Sequence, residues 1–386
     1  MPHWGPWQRL EQPALSALTT GQGQRWCSVQ LYSPAVIFHD GRWKMWFLGN
    51  SSFTRNGDMD LGYAESDDGL TWMPHENNPL LTAADLPPSI TAFNTPHVLW
   101  DADEQTFKMW FAGGSVDKSS KLARIMAPDT GVQVRHVLCY ATSCDGLRWA
   151  VHPHHLLHCV RSPCVFKDEP GQYTMYANAD ADPPADGWLP TIPGSARHDL
   201  GLAVFRFVSN DGLTWVRDAE PAVTSAQAGQ NSIVYPFVHR GGPGSSDRHE
   251  MWFGCHRPAE QDAAIWRNAS HFEIFSAVSD NGHQWRVVGD GQPSFTASRD
   301  RNLFDGRFVS TPCVVTAPPT HPQGPQRRLM FYSARDCGQI YAAGDGTLAF
   351  DSAGIYRHIG VAISEETEEG EEEGRNDVHM CSLARL

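Results

Sequence analysis

Several common signals are missing from this chain of 386 residues. No apolar run approaches the roughly 20 residues that a membrane-spanning helix needs. The first residues show no basic segment followed by an apolar one, as a secretory leader would. The formal net charge is −14, which argues against the basic face that nucleic acids require. We therefore expect no membrane partner and no nucleic-acid partner.

Cysteines and cofactor motifs add further exclusions. The nine cysteines are an odd number without the spacing of a disulfide framework, which fits buried thiols in a reducing compartment. There is no Gly-x-Ser-x-Gly elbow, phosphate loop or dinucleotide fingerprint. The histidines between His152 and Cys159 include two adjacent residues that point apart in an extended chain, so ordinary loop histidines are predicted there. The sequence thus predicts a cytoplasmic protein with no metal and no cofactor.

The chain does contain one turn motif that is repeated four times. Each copy reads Ser-x-Asp-Gly-x-x-Trp, with Asn in place of Asp in the last one, and the copies begin at Ser66, Ser143, Ser209 and Ser279. An Asp-Gly or Asn-Gly pair between apolar segments is the strongest short-range hairpin signal. Self-similarity at a supersecondary period indicates a repeated β-sheet unit.

A second repeated feature counts the units. Five strands open on an X-Pro pair, at 33–34, 95–96, 162–163, 235–236 and 311–312. The first residue of a strand is where the missing N–H of proline does least harm. Five such starts predict an all-β, five-bladed propeller of four-stranded blades, formed by one domain over residues 1–386.

The last blade needs a strand from elsewhere in the chain. An acidic run at 365–374 follows its third strand where the other repeats carry the turn and a tryptophan. Segment 7–15 is similar to the fourth strand of the first repeat, so we predict that the N-terminal strand closes the propeller. Segment 378–386 is the alternative. The acidic run itself is predicted to be a solvated insertion.

The direction of the strands predicts the position of a site. The connections after each second strand are long, and they leave at the end where the inner strands begin. Long loops on one end of a rigid scaffold commonly carry binding and catalysis. We therefore predict a funnel at this end, with a floor formed by residues 30–33, 92–97, 159–162, 231–235 and 307–311.

In its X-Pro starts, its Met45-Trp46-Phe47-like second strands and its repeated turn, the chain resembles the five-bladed propeller glycoside hydrolases, the superfamily of arabinanases, β-xylosidases, invertases and levansucrases. The resemblance covers nearly the whole chain. It implies two or three carboxylates at the funnel floor, acting as acid, base or nucleophile across a glycosidic bond. One of them is expected directly before the first proline.

The chain departs from that family at the positions where the chemistry is expected. The five residues before the prolines are Ser33, Thr95, Ser162, Tyr235 and Thr311. None is acidic, so the family's catalytic carboxylates do not carry over.

Other residues are then the catalytic candidates. Asp60 and Glu273 open third strands at the funnel end, and Asp199 lies in a long connection. A buried acid at such a place acquires a raised pKa and serves as a general acid. The alternative is that these carboxylates cap loops or form ion pairs. His97 is predicted at the funnel face, where a neutral imidazole transfers protons near pH 7.

Ten further residues at this end are predicted to bind the substrate. Arginines there suit a carboxylate, phosphate or sulfate held by two hydrogen bonds. Indole rings stack on sugar rings, although each one equally packs down its own loop. The predicted binding residues are Tyr32, Asn94, Arg161, Asn231, Tyr235, Arg307, Trp188, Trp266, His256 and His358.

The sequence therefore predicts a glycoside hydrolase-like enzyme that acts by acid–base chemistry on a small sugar-like or polar substrate. Two alternatives stay open. One is a non-hydrolytic lyase, isomerase or cyclase in which His97, Arg161 and Tyr32 hold the substrate. The other is a carbohydrate-binding propeller without catalysis. The missing acids before the prolines favour these alternatives more than the fold alone would.

Overall fold

The computed structural model describes residues 3–19, 25–51, 59–87, 90, 92–115, 134–180, 188–189, 202–230, 233–240, 249–257, 271–319, 325–337 and 356–367. Within these residues the secondary structure is β-strand, apart from short 3-10 turns. None of the helical turns in the described part of the chain is long and apolar enough to cross a membrane.

The strands form five antiparallel sheets, four of them built on four main strands that follow one another in the chain and the fifth completed by N-terminal strands. The N-terminal segment supplies β1 (His3–Trp4), β2 (Gln8–Arg9) and β3 (Leu15–Ser16). Blade 1 contains β4 (Gln30–His39), β5 (Arg42–Asn50), β6 (Asp60–Ser66) and β7 (Met73–Pro74). Blade 2 contains β8 (Ala92–Asp101), β9 (Thr106–Ser115), β10 (Val134–Ser143), β11 (Ala150–Val151) and β12 (Leu157–His158).

The remaining blades follow the same plan. Blade 3 contains β13 (Val160–Glu169), β14 (Gln172–Asp180), β16 (Leu202–Ser209) and β17 (Val216–Arg217), while β15 (Trp188–Leu189) pairs with β10 of blade 2. Blade 4 contains β18 (Ile233–Arg240), β19 (His249–Arg257), β20 (His271–Ser279) and β21 (Arg286–Val287). Blade 5 contains β22 (Phe308–Thr316), β23 (Arg327–Arg335) and β24 (His358–Thr367).

The inner strands close into a ring around a central axis. Each of β4, β8, β13, β18 and β22 contacts the inner strand of the next blade, and β22 contacts β4. The predicted closure by the N-terminus is confirmed, because β1, β2 and β3 all pair with β24. Since β24 continues to Thr367, Glu365 and Glu366 belong to this strand, and the insertion predicted at 365–374 does not begin where it was expected.

Every inner strand bends at its X-Pro pair. The pairing register shifts there in all five blades, which marks a β-bulge. The residue before the proline has a positive φ in each blade, namely 56° at Ser33, 39° at Thr95, 53° at Ser162, 57° at Tyr235 and 48° at Thr311. The bulge therefore turns the strand at the level of the predicted funnel floor.

The repeated turn joins neighbouring blades. In the turn after β10, Ser143 Oγ accepts from Gly146 N at 2.8 Å, and Trp149 Nε1 donates to Gly146 O at 3.1 Å. The same carbonyl also accepts from Nε1 of Trp46 in blade 1, at 2.8 Å. Trp110 makes the equivalent bond to Gly212 O of blade 3. One carbonyl oxygen of the turn thus accepts a hydrogen bond from the tryptophan of its own hairpin and another from a tryptophan of the preceding blade.

Candidate functional site

Five side chains, one from each blade, meet around the axis where the inner strands begin. We call them the floor ring, and they are Tyr32, Asn94, Arg161, Tyr235 and Tyr356. The first four lie in the inner strands β4, β8, β13 and β18, whereas Tyr356 directly precedes β24 of blade 5. The Tyr32 hydroxyl donates to Asn94 Oδ1. The rings of Tyr32 and Tyr356 stack with centroids 5.6 Å apart and planes 14° apart. Tyr235 packs against the same apolar cluster as these two tyrosines.

Burial determines the protonation state of the three tyrosine hydroxyls in the floor ring. Removal from water raises the pKa of Tyr32 and of Tyr356 well above the usual range, and the neighbouring tyrosines add to this effect. Burial also raises the pKa of Tyr235, although the charge of Arg161 opposes the rise. All three phenols are therefore neutral hydrogen-bond donors at physiological pH.

The bulges that carry the floor ring are held by the preceding blade. The amide of Ser33 donates to Ser333 Oγ at 2.8 Å. The amide of Tyr235 donates to Asn178 Oδ1 at 2.9 Å. Both acceptors lie three residues after the methionine of a second strand. The side chain at this position of the repeat therefore hydrogen-bonds to the backbone of the bulge in the next blade. Buried backbone donors need such partners, because an unpaired one is costly.

His97 lies beyond the bulge rather than in the floor ring. It lines a channel of about 530 Å³ that runs from the prolines towards the short turns, together with apolar side chains such as Leu99 and Phe237. Its Nε2 lies 2.8 Å from Val165 O, and burial lowers its pKa to about 4. The imidazole is therefore neutral at pH 7, and its catalytic role stays a prediction.

The two described candidate acids are buried in different blades. Asp60 is the first residue of β6, as predicted, and its exposed fraction is 5%. Glu273 is the third residue of β20, because that strand begins at His271. Its carboxylate is 2.8 Å from Nη2 of Arg299, and only 1% of the residue is exposed.

Arg307 and His358 belong to a group of charges in blade 5. His358 Nε2 lies 3.3 Å from Asp336 Oδ2, and Arg335 Nη1 donates to Asp336 Oδ1 at 2.9 Å. Burial opposes ionisation of Asp336, but its cationic neighbours outweigh it and lower the pKa to about 2. Burial and the nearby Arg335 lower the pKa of Arg307 to about 10. These two predicted binding residues thus lie in a blade-5 network around Asp336.

The remaining candidates cannot be placed as side chains. Asp199, Asn231 and Trp266 lie outside the described residues. Trp188 falls in β15 and His256 in β19, where only the backbone is described.

Three supporting residues escaped sequence reasoning. Asn178 and Ser333 hold the bulges, and Arg299 pairs with Glu273. The first two share a position in the repeat, so an alignment of the second strands on their methionines would have found them. Arg299 lies in an irregular connection, and no repeat pointed to it.

The fold is that of known carbohydrate enzymes. No family model matches the chain, and no curated protein matches it. A thermostable family-43 glycoside hydrolase is similar to this chain with 15% identity and a TM-score of 0.55, covering 86% of this chain and 89% of its own. The catalytic domain of the Coprinopsis cinerea GH62 α-L-arabinofuranosidase shows 13% identity and a TM-score of 0.52, covering 95% and 98%.

A third similar structure contains a sugar. It is an N-acetylgalactosamine deacetylase from F. plautii in complex with blood group B trisaccharide, with 16% identity, a TM-score of 0.54 and coverage of 95% and 94%. At these identities the likeness establishes the architecture. The chain therefore has the five-bladed propeller fold that its sequence predicted, and it shares this fold with these enzymes.

Proposed function

We propose that this protein is a carbohydrate-active propeller that binds a sugar in the funnel, against the floor ring. The observation that carries the proposal is the convergence of one polar or aromatic side chain from each blade on the axis. The half-buried ring of Tyr235 offers a face for the C–H groups of a sugar, while the amide and hydroxyl groups match its hydroxyls. The similar folds of enzymes whose names concern sugars support this choice of ligand class.

The protonation of the floor ring supports the same ligand class. The phenols of Tyr32, Tyr235 and Tyr356 all have raised pKa values, with burial as the largest cause. A neutral phenol donates to a sugar oxygen and also accepts from a sugar hydroxyl. Asn94 adds an amide with both donor and acceptor atoms. The ring thus offers the mixed hydrogen bonding that a polyhydroxylated ligand needs.

Hydrolysis by relocated acids is the second candidate. It is favoured by the burial of Asp60 and Glu273, which come from the funnel ends of third strands in two different blades. A glycosidase needs two carboxylates on either side of the scissile bond, about 5 Å apart for retention and roughly 6.5–9.5 Å apart for inversion. Arg299 Nη2 donates to one oxygen of Glu273 at 2.8 Å, and this pairing orients the carboxylate.

Calorimetric titration with mono- and oligosaccharides tests the binding proposal. Tyr32→Phe and Asn94→Ala each remove a hydrogen-bonding group from the floor ring, so we expect about a 3- to 10-fold loss of affinity for the best ligand. Asn77→Ala is the matched control, because Asn77 is exposed on the outer part of blade 1. Sugar binding that is unchanged in both floor-ring variants would refute the proposal.

Turnover of aryl glycosides tests the hydrolytic candidate separately. Glu273→Gln keeps the size of the side chain and a hydrogen-bond acceptor for Arg299 while removing the acid. Asp60→Asn likewise keeps the size of the side chain while removing the acid in blade 1. We expect each substitution to reduce turnover at least 100-fold if the pair catalyses hydrolysis, with sugar affinity nearly unchanged. Sugar binding without turnover in the parent protein would leave recognition as the function.

A further inference from the structure

Arg161 is the charged member of the floor ring. It lies in β13 between Val160, whose side chain is buried in the core beside blade 2, and Ser162, the residue before the proline. Its side chain is half-buried and its nearest electrostatic partner is the neutral phenol of Tyr235. Burial lowers its pKa from the usual range, because desolvation disfavours the charged form.

Arginines that are more deeply buried in the described chain form pairs with carboxylates in several cases. Arg328 pairs with Glu250, and Arg335 with Asp336 at 2.9 Å. Arg161 differs, because no described carboxylate lies within 4 Å of its guanidinium nitrogens. Its Nε is buried without a hydrogen-bond partner among the described groups, as is that of Arg328, so the missing carboxylate is what distinguishes Arg161. The hydroxyl oxygen of the adjacent Ser162 is also buried without a partner among the described groups.

A structural explanation does not account for this arrangement. An arginine that ties blades together donates to backbone carbonyls or carboxylates, as Arg9 does to Thr296 O at 2.8 Å and to Asp305 at 2.5 Å. No hydrogen bond of this kind holds Arg161 within the described part of the chain. A partly buried charge without a partner is costly for the protein that carries it, so a partner from beyond the described residues is expected, and a ligand in the funnel would supply it.

We infer that Arg161 is a carboxylate-binding subsite in the funnel and that the ligand is a sugar acid, such as a uronic acid residue. The inference rests on the proposed function and narrows its ligand class. The planar guanidinium matches a carboxylate through two parallel hydrogen bonds. Its single charge balances one negative charge, whereas a phosphate dianion would need a second cation beside it.

The test compares acidic and neutral sugars of the same ring type. Methyl galacturonoside and methyl glucuronoside are titrated calorimetrically against the methyl galactoside and glucoside, with galactose 6-sulfate as a sulfate-bearing probe. The protein is titrated as the parent chain and as Arg161→Met, Arg161→Lys and Arg148→Met. Arg148 is the control, because its side chain is 94% exposed at the opposite end of blade 2.

We expect the parent protein to bind a uronoside at least 10-fold more tightly than the matched neutral glycoside. Arg161→Met should abolish that preference and leave neutral-sugar binding within about 3-fold. Arg161→Lys keeps the charge but loses the planar guanidinium with its two parallel N–H donors, so it should retain a smaller preference for the uronoside. Arg148→Met should leave all affinities unchanged.

Thermal unfolding distinguishes recognition from a structural role. If Arg161 serves the ligand, Arg161→Met removes an uncompensated buried charge and should raise the melting temperature of the free protein. A fall in melting temperature together with an intact uronoside preference would overturn the inference. Equal binding of acidic and neutral sugars would overturn it as well, with the proposed function intact, and a preference for the sulfate alone would overturn the carboxylate class. Binding of no sugar at all would refute the inference and the proposed function together.

Discussion

Asp101 is the residue whose neutralisation should destabilise the propeller most clearly. It ends β8 in blade 2, and its side chain is fully buried. It accepts from Lys108 of its own blade at 2.9 Å, and from Lys167 at 2.5 Å and Tyr173 at 2.7 Å of blade 3. Burial alone would raise its pKa, but these hydrogen bonds outweigh burial and hold the pKa well below the usual range. One carboxylate therefore links two blades.

Asp101→Asn removes the charge and leaves two lysines around a neutral amide. Breaking a buried ion pair by removing one partner costs about 3–5 kcal/mol. At about 2.1 cal/mol/K per residue, the 386 residues give an unfolding entropy of about 0.8 kcal/mol/K, so the melting temperature should fall by about 4–6 °C. The measurement is thermal unfolding followed by circular dichroism or calorimetry.

Asp103 provides the matched control. It contacts the same Lys167 at 2.7 Å, but its side chain is 56% exposed. Exposed pairs contribute about 0–1 kcal/mol, so Asp103→Asn should shift the melting temperature by roughly 1 °C or less. Equal shifts for Asp101→Asn and Asp103→Asn would refute the argument from burial.

The pH dependence gives a second check on Asp101. Because its folded pKa is lowered, its contribution is fully present above the unfolded pKa of about 3.9 and is lost as the pH falls through the folded pKa. The difference between the parent protein and Asp101→Asn should therefore be constant above about pH 5 and shrink below about pH 4. A difference that persists unchanged into strong acid would show that charge is not its cause.

Three further predictions concern the turn, the closure and the channel. Gly146→Ala should cost about 2–4 kcal/mol, because φ is +77° and the new Cβ would lie 2.9 Å from a tryptophan ring of blade 1. Arg9→Met should cost about 3–5 kcal/mol in thermal unfolding, because it leaves the fully buried Asp305 carboxylate without its cation at 2.5 Å. Burial keeps the native imidazole of His97 neutral down to about pH 4, while the unfolded chain binds the proton near pH 6.5. His97 therefore lowers the free energy of unfolding by about 1.4 kcal/mol for each pH unit between 6.5 and 4, and His97→Gln should remove this part of the pH dependence.

Each of these predictions has an outcome that contradicts it. Gly41 has a φ of +74° with nothing near its new Cβ, so Gly41→Ala should cost only about 1–2 kcal/mol. An equal cost for Gly146→Ala would contradict the expected clash with the tryptophan ring. Arg42 pairs on the surface, so a loss in Arg42→Met as large as that in Arg9→Met would contradict the role of burial. An unchanged pH slope in His97→Gln would show that this histidine titrates normally.

The sequence was sufficient for the architecture because the fold repeats. Proline at each inner strand and Asp-Gly or Asn-Gly at each outer hairpin are local requirements of the backbone, and both recur along the chain. The second role of the turn could not be seen in this way. The bond from Trp46 to Gly146 joins residues 100 positions apart, and local sequence carries no mark of such a contact.

The site was less predictable for a related reason. Strand starts correctly indicated that Tyr32 and Asn94 share one level, but the direction of each side chain depends on the bulge. His97 follows the bulge by two residues and faces the channel. The pairing of Glu273 with Arg299 depends on how an irregular connection folds back along β20, which repeats do not encode.

The left-handed residues before the prolines include two of a type that a positive φ disfavours. Aspartate and asparagine tolerate a positive φ better than most residues, and β-branched residues tolerate it poorly. Thr95 and Thr311 nevertheless occupy two of these positions, with φ of 39° and 48°. The backbone would accept an aspartate there at less conformational cost. The chain therefore carries threonine at two positions where the local backbone conformation would favour aspartate, and in each case the buried threonine hydroxyl hydrogen-bonds to a neighbouring blade or strand.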